Sequence, residues 1–315
     1  MTLVTIAVPA DRRDMYSLSQ LKRAVDEPTM AVQELNRLAH RRGGRRQHNE
    51  RGVDIFEEDW DNMLILDACR YDMFAEQHYL PGRLESRISK GSATWEFLQA
   101  NFADRDLKDV VYVTASPMLH RNADVLNPQL HAAINVWQEE GWDEEHRTVL
   151  PETVTEYAKR AAENYPEKRL LVHYLQPHYP FLGPTGQEHF DIDTLAIWDE
   201  LRAGDLDIPD GIIWEAFREN LDIVLPYAEE LLGTLRGKTV VTADHGQVIG
   251  ERTFPIPIRE YGHPRGIYMN ELVRVPWLVH QSGERRTITS EPPREDHENI
   301  DDTVVADRLE QLGYK

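Results

Sequence analysis

The chain has 315 residues and carries 55 acidic against 35 basic side chains, a formal net charge of −20. Such a surface repels nucleic acid and anionic membranes, so general binders of either are excluded. Cys69 is the single cysteine, which excludes an internal disulfide and argues against a zinc–thiolate cluster.

The N-terminal stretch MTLVTIAVPADRRDMYSLS lacks the leading positive region and long apolar run of a secretion signal. No segment reaches the roughly 18–20 apolar residues of a membrane span. The expected location is the cytoplasm, and the dense carboxylate surface suits a halophilic one. Residues 1–50 read as a peripheral segment, with residues 51–315 as the main domain. Within the first, SLSQLKRAVDEPTMAVQELNRLAHRRGGRRQH predicts one or two amphipathic helices. They end in RRGGRR, a basic run read as a solvated helix end or linker.

From residue 54 the pattern changes. NMLILDACRYD is a compact apolar run ending in Asp67, the mark of a buried strand. LKDVVYVTASP, KRLLVHYLQPHYPF, GKTVVTADHG and RVPWLVH repeat the form. Helical stretches lie between them: SATWEFLQANF, PETVTEYAKRAAENY, and WEAFRENLDIVLPYAEELLGTLRG, which is expected to stop at Gly237. The stretch around 284–302 predicts an acidic surface loop, and DDTVVADRLEQLGY a closing helix. Strands alternating with helices predict an α/β fold: a mostly parallel central sheet with helices on both faces.

Ligands of such sheets bind outside the carboxyl ends of the strands. Those ends carry Asp67, then His173 and His178, then Asp244 and His245. Carboxylate and imidazole together are ligands for a divalent ion.

LILDACRYD, LLVHYLQPHYPF and TVVTADHGQVIGE, followed by YGHPRGIYMNELVRVPWLV, resemble the alkaline phosphatase superfamily in its sulfatase-like branch. That branch holds sulfatases, phosphoglycerol transferases of the lipoteichoic acid synthase type, and phosphoethanolamine transferases. The resemblance covers about residues 54–280. It implies a three-layer α/β sandwich and a divalent metal bound by Asp67, Asp244 and His245. It implies a nucleophile at the start of a helix in SKGSATWEFL, with Thr94 first and Ser92 second. His263 matches a residue that serves a second metal or the substrate. His178 matches a histidine that faces the substrate or a second metal, and His173 is grouped with it on the substrate side. Arg70, Lys90 and Arg265 are candidates for contacts to a substrate oxyanion, with a structural or solvated charge as the alternative reading of each.

The implied activity is hydrolysis or transfer of phosphate esters by a metal-activated threonine. Sulfate ester hydrolysis, or a non-catalytic binding relic, are the alternatives. The metal is expected to be Mn or Zn, with Mg or Ca possible, and one ion rather than two. The substrate is a small-molecule, glycan-linked or lipid-linked ester. The chain departs from the family in three ways, one of them Tyr174 in YLQPH where a two-zinc site has aspartate. It has no Cys-x-Pro-x-Arg sequence for conversion to formylglycine, which favours phosphate, and Ala68 replaces the second aspartate of an Asp-Asp pair.

Overall fold

The computed structural model describes residues 28–138, 140–191, 196–292 and 302–313. The elements run α1 (Pro28–His40), β1 (Asn62–Leu66), α2 (Tyr71–Gln77), β2 (Arg83–Ile88), α3 (Thr94–Phe102) and β3 (Asp106–Thr114). Next come α4 (Met118–Arg121), α5 (Ala123–Leu126), β4 (Gln129–Asn135), α6 (Pro151–Asn164), β5 (Arg169–Tyr174), α7 (Pro184–His189) and α8 (Ile197–Ala203). The last third holds α9 (Asp210–Thr234), β6 (Gly237–Thr242), β7 (Val248–Arg252), β8 (Arg259–Gly262), α10 (Asn270–Val273), β9 (Arg274–Ser282) and α11 (Asp302–Gln311).

Seven strands form one sheet in the order β2-β9-β6-β1-β5-β3-β4. Strand β9 runs against its neighbours β6 and β2, and the others are parallel. At the centre, all residues of β1 are buried, as is nearly all of β5 and β6. Alternate residues of a strand face opposite sides, so this burial means that both faces are covered. That explains why NMLIL and RLLVHY read as unbroken apolar runs. Helix α6 packs on β3 and β5 and against α9. The predicted α/β class and mostly parallel sheet are present.

The edges were not legible. Strand β2, RLESRI, has no fully buried residue and pairs through one side with β9. Charged residues on an edge strand discourage pairing with other chains, and they hide the strand from a search for apolar runs. Strand β4, QLHAAIN, is the opposite edge. The hairpin β7–β8 forms a separate small sheet.

Three sequence expectations need correction. Helix α9 ends at Thr234 rather than at Gly237. Gly237 opens β6 instead, with φ of +94°, and a Cβ there would lie 2.2 Å from Asp61 Oδ2. The RRGGRR run is not wholly solvated, because Arg41 reaches the buried Glu96 carboxylate at 2.7 Å. The stretch after residue 283 is pinned in part: Lys168 Nζ donates to Thr289 O at 2.9 Å, and Glu291 N–H to Lys108 O at 3.2 Å. The remainder of that acidic stretch, 293–301, lies outside the described residues, as do residues 1–27, where the first of the expected N-terminal helices falls.

Helix α1 is bound to the main body. Asn36 Nδ2 donates to Thr253 Oγ1 and Ile256 O, both at 2.8 Å, and Gln33 Nε2 to Glu260 at 2.8 Å.

The turn after β6 is fixed by close backbone approach. Gly246 N–H donates to Leu272 O at 2.7 Å, and a Cβ on Gly246 would lie 2.1 Å from Glu271 O. Gly246→Ala is therefore expected to cost about 1–3 kcal/mol in urea unfolding. Gly211→Ala in α9, where nothing lies within 4 Å of the added methyl, is expected to be neutral or stabilising.

Candidate active site

Three adjacent strands build the site. β6, β1 and β5 lie side by side, and their carboxyl ends deliver Asp244, Asp67 and His173. All three side chains are fully buried. A ligand atom from each lies within 4.8 Å of those of the other two, a grouping able to hold a metal ion.

The Asp244 carboxylate is oriented by backbone amides. Its Oδ1 accepts from His245 N–H at 2.9 Å and from Ala68 N–H at 3.2 Å. Its Oδ2 is left buried with no hydrogen bond among the described residues. Ala68 takes φ of +59°, a left-handed conformation that favours glycine. Such strain concentrates at functional sites, and here it turns the Ala68 amide toward Asp244.

The imidazoles are also fixed. His245 Nδ1 lies 2.7 Å from Gly246 O, and His178 Nδ1 lies 2.6 Å from Tyr179 O. A carbonyl only accepts, so each Nδ1 carries the proton and each Nε2 presents a lone pair. His245 Nε2 lies 3.1 Å from Thr94 Oγ1, 3.3 Å from Asp244 Oδ2 and 3.5 Å from Asp67 Oδ1. The His263 ring is 4.7 Å from that of His245 and 4.9 Å from that of His178. Burial pushes His173 and His178 down to about 4, and His263 well below its ordinary value. They are neutral near pH 7, the form that binds metals.

These residues fit a divalent ion. Oxygen and nitrogen ligands roughly 2.0–2.2 Å from an ion lie about 3–4 Å from one another. The separations around His245 Nε2 fall in that range. Two buried carboxylates side by side both stay ionised only where a positive charge meets them.

Thr94 occupies the first position of α3, after Ala93 as the helix cap. The partial positive charge of a helix start favours an anion there. Ser92 is placed differently. Its hydroxyl lies 3.0 Å from Glu96 Oε2 and 3.1 Å from Pro264 O, and it accepts from Gly266 N–H at 2.8 Å.

The predicted cations divide. Arg70 is paired with Asp72 at 2.6 Å and with Glu251, and stacks 4.6 Å over Trp214. Lys90 is paired with Asp54 at 2.7 Å. Arg265 makes no ion pair among the described residues. It lies over Trp95, and its Nη2 donates to Gln99 at 3.3 Å. Burial pushes its guanidinium down to about 10. Cys69 is fully buried, and burial raises its thiol far above the ordinary range, so it is no nucleophile. A cavity of about 140 Å³ adjoins His263, lined also by Trp198, Arg202 and Pro264.

Sequence reasoning missed Glu96 and Tyr112. Glu96 Oε2 accepts from both Ser92 N–H and its hydroxyl, and Oε1 accepts from Arg41 and from Tyr268 Oη at 2.7 Å each. Ser92 and Glu96 stand four residues apart, one more than the Ser-x-x-Glu of a capping box, so the pair gave no sequence signal. Nothing in sequence marks Tyr112, a strand residue whose hydroxyl lies 2.7 Å from His173 Nδ1.

No family model and no curated protein matches the chain. Solved structures do. One is the integral membrane lipooligosaccharide phosphoethanolamine transferase EptA from Neisseria meningitidis, at 12% identity and a TM-score of 0.45. The match covers 70% of this chain and 47% of that one, so the chain spans about half the transferase's length. Another is the C-terminal periplasmic domain of EptC from Escherichia coli, in complex with Zn, at 15% identity and a TM-score of 0.45, covering 74% of this chain and 75% of that one. A third is the lipoteichoic acid synthase LtaP from Listeria monocytogenes, at 15% identity and a TM-score of 0.43, covering 81% and 72%.

The bonds of Ser92 give it a structural part. Ser92→Ala is expected to cost about 1–3 kcal/mol in urea unfolding, because Glu96 and Gly266 lose a buried partner. Turnover per folded molecule is expected to change by less than about tenfold.

Proposed function

We propose that the protein is a metal-dependent phosphoester hydrolase or phospho-group transferase acting through Thr94. One observation carries this reading: the Thr94 hydroxyl lies 3.1 Å from the same His245 nitrogen that faces the Asp67 and Asp244 carboxylates. A hydroxyl, an imidazole lone pair and two carboxylates thus converge in one buried place at the start of a helix.

Asp67, Asp244 and His245 would hold the ion. When bound, it would lower the pKa of the Thr94 hydroxyl and offset charge on the ester's non-bridging oxygens. The chain's residues do the rest. The start of α3 favours both an ionised Thr94 and an incoming anion. The Arg265 guanidinium supplies donors for the anion's oxygens. His178 and His263, neutral and beside His245, can take and return protons around the ester. The bond from Thr94 Oγ1 to phosphorus forms as the bond to the leaving oxygen breaks. Attack by water or an acceptor alcohol then breaks the Thr94 ester and frees the hydroxyl.

Phosphate is favoured over sulfate. The usual aldehyde nucleophile of sulfatases is made from a cysteine in a Cys-x-Pro-x-Arg sequence, and Cys69, the single cysteine, lies in DACRYD instead. The substrate's organic part is a small molecule, a glycan or a lipid-linked group. Among the described residues no helix is long and apolar enough to cross a membrane. Mn or Zn suits a mixed carboxylate and imidazole set.

Activity on aryl phosphate monoesters and diesters, supplied with Mn or Zn, should exceed that on the matching sulfate ester. Thr94→Ala should lower it at least about 10³-fold. A phosphate adduct on the Thr94 peptide, seen by mass spectrometry after rapid quench, is the accompanying signature. Wild-type turnover in Thr94→Ala would refute the proposal.

A further inference from the structure

We infer that His173 is itself a ligand of the metal and that Tyr112 is the residue that positions it, an inference that rests on the metal-dependent reading above. The resemblance groups His173 with the substrate, and its surroundings point elsewhere. The imidazole is fully buried at the end of β5, between the ends of its neighbours. Nε2 lies 4.0 Å from Asp67 Oδ2 and 3.9 Å from Asp244 Oδ2. Both separations are too long for hydrogen bonds, and Nε2 has no hydrogen bond among the described residues.

The tautomer decides what faces the carboxylates. A proton on Nε2 would point toward two oxygens that stand too far away to accept it. A proton on Nδ1 instead donates to Tyr112 Oη at 2.7 Å. The Nε2 lone pair then faces both carboxylates, an arrangement that is repulsive unless a cation lies between them. Distances of 3.9–4.0 Å are those of donor atoms sharing one ion rather than touching each other.

Tyr112 is well placed for this. It sits on β3, the strand next to β5, and is itself buried. A hydrogen bond on the far nitrogen of a ligating histidine fixes the ring's angle and strengthens it as a donor. The resulting set, two carboxylates with His173 and His245, is richer in imidazole than a Mg or Ca site. It selects a borderline ion such as Zn, Mn or Co.

The test uses the full chain, stripped by chelator and titrated with Zn, Mn, Mg, Ca or Co. The variants are Tyr112→Phe, His173→Ala, His173→Gln and Asp244→Ala. Tyr112→Phe keeps the ring and removes only the hydroxyl. It should weaken Zn and Mn binding roughly 10- to 100-fold and alter the visible absorption of the bound Co. His173→Ala and His173→Gln should weaken binding further and shift the Co bands more, and Mg and Ca should bind the wild type least. Melting temperatures of the metal-free chains report any packing loss separately. Wild-type affinity and Co absorption in Tyr112→Phe or in the folded His173 variants would overturn the inference. If Asp244→Ala still lost the metal, the functional reading would stand. A wild type that binds none of the five ions would overturn both.

Discussion

Two carboxylates at zero exposure, Asp67 and Asp244, are the constraint around which the site is organised. Charges are not buried together unless something opposite in sign meets them. The sheet brings the pair together because β1 and β6 are parallel neighbours that end at the same edge. Backbone amides then fix the Asp244 carboxylate through Oδ1 and leave Oδ2 facing inward. The left-handed turn at Ala68 belongs to the same device, since it aims one of those amides.

A second layer of contacts holds the surrounding imidazoles and the start of α3 against this pair. His245 and His178 tie Nδ1 to carbonyl oxygens, and His173 ties it to Tyr112. Each therefore presents Nε2 to the site. The helix that begins with Thr94 is anchored two residues later by Glu96, whose two oxygens gather Ser92, Tyr268 and Arg41. Arg41 belongs to the N-terminal segment. The part of the chain that looked peripheral in sequence thus braces the start of α3.

The centre of the fold was legible because fully buried parallel strands leave unbroken apolar runs. Asp67, His173, Asp244 and His245 were legible because they stand at the ends of those runs, where parallel sheets bind ligands. Strands β2 and β4 were hidden by their place at the edges, where side chains need not be apolar. The pairing of Arg70 with Glu251 and of Lys90 with Asp54 could not be read, since these partners lie far apart in sequence. Nor could Tyr112, which looks like any core tyrosine until the neighbouring strand sets His173 beside it.

The most direct test of the central claim is a crystal of the wild-type chain grown with Mn, with anomalous diffraction recorded at the metal's absorption edge. The account predicts one strong peak roughly 2.0–2.4 Å from Asp67, Asp244 and His245, with Thr94 Oγ1 turned toward it. An empty centre with the carboxylates hydrogen-bonded to protein groups or water would contradict it.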